Sequence, residues 1–150
     1  MALHGTLEAE VELKSTAENF YKIWRSEAHK MPDITSSNIQ AVKVHEGDWD
    51  SHGAIKIWNY TVGGKTGVFK EKVEFDDANL TVTLHGQEGD VFDEYKVYRP
   101  VCKLIPKTQG SLAKLSIEYE KYKESDPNPD KYMAFFISMT KDIDTHASAA

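Results

Sequence analysis

Lys56, Trp58 and Tyr60 alternate with Ile55, Ile57 and Asn59 in the segment AIKIWNYTV, so a strand there sets a lysine, a tryptophan and a tyrosine side by side on one face. An ammonium beside a phenol is the beginning of an acid–base pair. The same groups beside an indole also suit a pocket that takes an apolar body with a polar end. Arg99, in the segment YKVYR, shares the parity of Val97 and Val101 if the strand runs evenly across Pro100, and then faces the same way as Lys56. Two such cations would hold an anionic or phosphate-bearing head group. A lysine turned inward is costly unless its ammonium reaches water, a carboxylate or a ligand. The alternative is a lysine at a cavity mouth or on the outer face.

Other reactive residue types make weaker patterns. His45 and His52 flank Asp48 and Asp50, but no His-x-x-x-His and no cysteine pair stands at ligand spacing, so neither a metal nor any other cofactor is expected. The loop over 45–53 keeps Gly47 and Gly53 around two aspartates that would repel phosphate, and no Gly-Lys-Ser/Thr directly follows it. Trp49 in that polar loop could anchor a protein partner or fold back onto a sheet edge. His146, near the end of the chain's last helix, is placed where a cation suits the helix dipole or meets a head group at a cavity mouth. No Ser-His-Asp arrangement and no suitably spaced carboxylate pair compels a catalytic reading.

The 150 residues, 40% hydrophobic and 11% aromatic, fit one domain over 1–150 that is large enough to enclose a cavity. A net charge of −6 opposes broad nucleic-acid binding and a polybasic membrane patch. No apolar run approaches the ~20 residues of a membrane span, and the first residues lack the pattern of a signal peptide. Cys102, the single cysteine, cannot form an intramolecular disulfide and points to a reducing compartment. A soluble, cytoplasmic protein with no stable membrane insertion is the expectation.

The elements that must position these residues are legible from their periods. A first strand over 3–13 turns Leu7, Ala9, Val11 and Leu13 one way; Ser15 or Thr16 then caps a helix bearing Phe20, Ile23 and Trp24 on its apolar side. A second short helix over 27–30 is expected to stop at Pro32. Strands follow near 38–44, 54–62, 66–75, 80–86, 92–105 and 111–122, with Gly63-Gly64 as a tight hairpin and a bulge or missing ladder bond at Pro100. A final helix, capped near Asp130, carries Tyr132, Phe135, Phe136, Met139 and Ile143 on one stripe. Its opposite side carries Lys131, Ser138, Lys141, Asp142 and Asp144, and 147–150 is expected to fray.

His45-Glu46-Gly47-Asp48-Trp49, His52-Gly53, Ile57-Trp58-Asn59-Tyr60, Gly64-Lys65 and Lys70-Glu71 resemble the strand–loop–strand signature of the plant major latex proteins. These form a branch of the birch pollen allergen (pathogenesis-related class ten) superfamily. Asn38-Ile39-Gln40, Glu118-Tyr119-Glu120-Lys121 and Thr140-Lys141-Asp142-Ile143 extend the resemblance over essentially the whole chain. It implies an α+β helix-grip fold: a seven-stranded curved antiparallel sheet, two short helices and a long C-terminal helix over an apolar cavity. The walls would be Lys56, Trp58, Tyr60, Val82, Leu84, Arg99, Ile117 and Tyr119 on the sheet. The helix would supply Tyr132, Phe135, Phe136, Met139 and Ile143, with His146 at the mouth.

The function implied is non-catalytic carriage of a small hydrophobic or amphipathic ligand in plant defence or stress response. A fatty acid, a lysophospholipid or a sterol- or flavonoid-like metabolite would fit. Two alternatives stand beside it. One is a cavity enzyme using Lys56 with Tyr60 or Tyr119, since some superfamily members condense alkaloid precursors and ribonuclease activity is attributed to others. The other is a ligand-gated protein-interaction module.

Overall fold

The computed structural model describes residues 3–149. Alternation of apolar residues with glutamates builds β1 (His4–Leu13), whose glutamates are exposed while Val11 and Leu13 are buried. Thr16 caps α1 (Ala17–Ser26), its hydroxyl accepting from the Asn19 N–H at 3.1 Å, and Phe20, Ile23 and Trp24 are buried on the inner side. Pro32 does not end the next helix. A 3-10 turn at Ala28–Lys30 leads into α2 (Met31–Ile34), and Pro32 lies in the first turn of α2. A proline there lacks only an N–H that has no acceptor in a first turn, so it can open a helix as well as close one.

Six further strands follow: β2 (Ile39–Glu46), β3 (Ile55–Val62), β4 (Lys65–Asp76), β5 (Thr81–Gly89), β6 (Tyr95–Pro106) and β7 (Ser111–Lys121). They form one seven-stranded antiparallel sheet in the order β1-β7-β6-β5-β4-β3-β2, so β1 returns beside β7 while the rest is a meander. Gly63 and Gly64, at φ 58° and 79°, adopt the left-handed angles of a two-residue hairpin and set Val62 opposite Lys65.

The inward residues of β6 are Tyr98, Pro100, Cys102 and Leu104, so Val97, Arg99 and Val101 have the outward parity rather than the inward one expected. Phe92 lies outside the strand, in a 3-10 turn at Asp90–Asp93. Pro100 stays in register opposite Ile117, and the irregularity falls between Tyr95 and Val97. On its other side the ladder to β5 ends at Thr83↔Val101, one step before Pro100, whose nitrogen carries no proton to donate. Cys102 lies mid-sheet between Val82 and Leu115, buried, and burial pushes its thiol up to about 12.

The chain ends in α3 (Asp130–Ser148), laid over the concave face. Pro129 takes the cap position and Asp130 the first turn. Tyr132, Phe136, Met139 and Ile143 are buried and Phe135 is half-buried, as the stripe requires. Asp144 departs from the expected outer face, and Ala147 is buried rather than frayed. Ala150 lies outside the described residues. Thr140, Ile143, Asp144 and Ala147 share an i, i+3, i+4, i+7 stripe, so Asp144 sits on the inner side despite its charge. Among the described residues, no helix is long and apolar enough to cross a membrane.

The reason Asp144 can be buried is its partners. One carboxylate oxygen accepts from the Ser15 N–H at 2.9 Å and the Ser15 hydroxyl at 2.7 Å, and the other accepts from the Lys14 N–H at 3.0 Å. The clamp ties the last helix to the β1–α1 corner across 129 positions of chain. Charge-assisted bonds of this kind contribute roughly 1.5–3 kcal/mol each, and a donor left buried without one costs similarly. Asp144→Ala is therefore expected to lower the free energy of unfolding by about 3 kcal/mol in urea titrations. A loss within about 0.5 kcal/mol, the range of ordinary surface substitutions, would mean that the clamp contributes nothing.

Candidate functional site

Between the concave face and α3 lies a cavity of about 50 Å³. Trp58 and Tyr60 of β3, Leu84 of β5 and Tyr132, Phe135, Phe136 and Met139 of α3 line it, as the alternation and the helical stripe predict. The wall is completed by Trp24 of α1, Ile39 of β2, Phe69 of β4, Val91, and Tyr98 and Pro100 of β6. Of these, Phe69 was available from sequence, since it shares the inward parity of Glu71, Val73 and Phe75 in the segment TGVFKEKVEF. Tyr98 and Pro100 follow only once the parity of β6 is set correctly.

Not every expected wall residue reaches the cavity. Val82, Ile117 and Ile143 are buried in the surrounding core, and Tyr119 is buried with its hydroxyl donating to Asn128 Oδ1 at 3.1 Å. Arg99 is half-buried on the outer face, Nη1 2.6 Å from Glu118 Oε2, because Tyr98 and Pro100 take the inward positions on either side of it. His146 is exposed in the last turn of α3 and does not line the cavity. Trp49 is half-buried against His29, ring centroids 5.4 Å apart. His52 Nδ1 accepts from the Phe75 N–H at 3.2 Å.

Aromatic rings fill most of the space. Phe69 and Tyr98 meet edge to face at 5.6 Å, as do Tyr98 and Tyr132 at 5.3 Å, and Tyr60 and Phe135 lie tilted at 5.7 Å. A Cβ on Gly86 would come within 2.7 Å of the Tyr98 carbonyl oxygen, so a glycine lets β5 approach this cluster. The volume left holds a few waters at about 10–15 Å³ each, whereas pockets for drug-sized ligands run to roughly 300–1,000 Å³.

Tyr60 and Tyr132 also line a polar cleft of about 250 Å³ with Lys65, Thr66, Asp90, Asp93, Glu94 and Lys131. These two tyrosines thus stand between the apolar cavity and the polar cleft. The Tyr132 hydroxyl donates to Glu94, and Lys131 Nζ lies 2.8 Å from the same carboxylate. Burial pulls the Glu94 pKa up, but the hydrogen bonds from Lys131 and Tyr132 outweigh it and hold the carboxyl below its usual range.

At the α1 end of the cavity the chemistry is different. Lys56 and Glu71 face each other across β3 and β4, both within 1% of full burial, and neither lines the cavity. Glu71 Oε1 accepts from Trp58 Nε1 at 3.1 Å, and Trp58 packs against Trp24 with ring centroids 6.0 Å apart. Lys56 Nζ stands 5.9 Å from the Phe75 ring centroid. Burial lowers the Lys56 pKa, with the Glu71 charge opposing it, and burial raises that of Glu71 to about 7 against the pull of Trp58 and Lys56.

A curved antiparallel sheet gripping a long helix over an apolar cavity defines a helix-grip protein. Residues 2–150 match the Pathogenesis-related protein Bet v 1 family, and the chain belongs to it, within the plant major latex proteins. MLP-like protein 328 of Arabidopsis thaliana is 47% identical over 151 residues, covering 100% of both chains. The crystal structure of ginseng major latex-like protein 151 from Panax ginseng superposes with a TM-score of 0.93 at 33% identity, over 97% of this chain and 99% of that one. A norcoclaurine synthase point mutant from Thalictrum shares the fold, with a TM-score of 0.73 at 19% identity over 97% of this chain and 98% of that one. That likeness concerns the fold alone.

Glu71 makes stability depend on pH in a direction opposite to most carboxylates. Its folded-state pKa stands at about 7 against an ordinary 4.5, so the folded protein keeps a proton that the unfolded chain releases. The associated stabilisation is complete below pH 4.5 and is lost as pH rises towards 7, an amount on the order of 3 kcal/mol. Subtracting the pH profile of Glu71→Gln from that of the wild type, by chemical denaturation, should isolate this falling slope. Parallel profiles would mean that Glu71 titrates alike in the folded and unfolded chains.

Proposed function

We propose that the protein binds and carries a small, mainly apolar molecule in the cavity under α3, without chemically altering it. The observation that carries this reading is an aromatic-lined cavity separated by Tyr60 and Tyr132 from a polar cleft. An apolar body fits the first, and a polar end fits the second. With so little free volume, binding requires rings to move, and the half-buried Phe135 and deformable Met139 are the wall elements best able to yield.

The wall chemistry favours a neutral ligand over an anionic one. Arg99 serves Glu118 on the outer face, and Lys56 is buried beside Glu71 outside the cavity lining, so neither cation expected to receive a phosphate or carboxylate reaches the cavity. A ring-bearing metabolite of sterol- or flavonoid-like character suits aromatic walls better than a fatty acid or lysophospholipid. Carriage in the cytoplasm, in defence or stress response, is the setting this reading proposes. The non-catalytic reading is supported by Lys56 lying outside the cavity lining and by the engagement of the Tyr119 hydroxyl with Asn128. Partial burial of Trp49 against His29 weakens its case as a docking anchor.

A neutral apolar dye such as N-phenyl-1-naphthylamine is expected to bind saturably and to quench tryptophan emission. Leu84→Phe and Met139→Phe, which fill the cavity, should each weaken that binding about tenfold, equivalent to about 1.4 kcal/mol, with the circular dichroism spectrum retained. Unchanged affinity in both folded variants would place the dye elsewhere and remove the cavity from the function.

A further inference from the structure

We propose that the hydrogen bond from Tyr132 to Glu94 is an autoinhibitory latch that keeps the apolar cavity closed off from the polar cleft, and that ligand binding swings the Tyr132 ring aside to join the two spaces. This rests on the carriage reading and specifies how that site is regulated. Tyr60 and Tyr132 are the two residues that line both spaces, each only 6% exposed, so their rings form the partition. The cavity behind them is about 50 Å³ and the cleft in front about 250 Å³. Neither alone reaches the roughly 300–1,000 Å³ of pockets for drug-sized ligands, whereas the joined space, with the ring turned out, enters that range.

The two halves of the partition are held differently. Tyr60 is pressed against β4, where a Cβ on Gly67 would stand 2.7 Å from its Cζ and hydroxyl oxygen. Tyr132 instead meets Tyr95 and Tyr98 ring to ring, centroids 6.3 and 5.3 Å apart, and makes its one side-chain hydrogen bond among the described residues to Glu94. Ring contacts re-form in a new position, but that directional bond is lost when the ring turns. Glu94 is itself steadied by Lys131 Nζ at 2.8 Å and stands half-buried in the cleft wall just before β6. The chain leading into α3 is tied down, the Tyr95 hydroxyl donating to the Pro127 carbonyl at 2.8 Å and that of Tyr119 to Asn128, so the movement is confined to the Tyr132 side chain.

A latch that must open before a ligand fits lowers the apparent affinity by the fraction of molecules that are open. Removing it therefore tightens binding, the reverse of what loss of an ordinary ligand contact does. The test titrates N-phenyl-1-naphthylamine into the wild type, Tyr132→Phe, Glu94→Ala and the double variant, with association rates from stopped-flow fluorescence. Each single variant should bind about fivefold more tightly than the wild type, chiefly through faster association. The double variant should gain no more than either single one, since all three lack the same bond. Glu94→Ala carries the decision, because Glu94 does not line the apolar cavity and its loss removes no ring from the wall.

Unchanged or weaker binding by either single variant, or gains that add in the double variant, would overturn the latch while leaving carriage in place. If neither the wild type nor any variant binds the dye, the carriage reading and the latch fall together.

Discussion

Asp144 ties α3 to the β1–α1 corner, and α3 so placed closes the cavity over the sheet. Its carboxylate is saturated by two backbone N–H groups and a hydroxyl at the β1–α1 corner, all at 2.7–3.0 Å, so the helix cannot slide without leaving buried donors bare. Two further tethers act along the same helix: the Thr35 hydroxyl donates to Asp142 at 2.7 Å and Asn38 Nδ2 donates to Ser138 at 3.0 Å. At the other end, Tyr132 is held to Glu94. Between these polar anchors α3 turns apolar side chains to the cavity, and these can repack without breaking a hydrogen bond. Phe135, Phe136 and Met139 lie in that stretch.

Lys56 and Glu71 represent the opposite use of charge. Taking both ions out of water costs more than their mutual attraction returns unless the geometry is close, and well-packed apolar residues would often serve stability as well or better. The two groups answer this partly by shifting towards neutrality, Lys56 downwards and Glu71 upwards, both because of burial. Trp58 supplies one neutral hydrogen bond to the pair. A polar island is thereby kept beside an aromatic cavity without lining it.

Much of this was legible in sequence wherever one period ran undisturbed. The alternation through Lys56, Trp58 and Tyr60 gave the inner face of β3, the helical stripe gave the cavity side of α3, and the hairpin at Gly63-Gly64 formed as its residue types require. Reading failed where a local feature reset the period. The irregularity between Tyr95 and Val97 shifts the phase of β6, which exchanged Arg99 for Tyr98 and Pro100 on the inner face. Asp144 was misplaced because its polarity suggested solvent, while its helical position and three distant donors decided otherwise. The small volume of the cavity depends on how rings from five elements interleave, and no single segment encodes that.

Cys102 offers a last consequence. Its thiol is centred in the sheet between Val82 and Leu115, with its ionisation pushed up to about 12 by burial. Little thiolate exists at neutral pH while the sheet is closed, and a reagent has no path to it. The rate at which an alkylating agent consumes this sulfur therefore counts how often the β5–β6–β7 region comes apart, giving the protein a built-in clock for its own breathing.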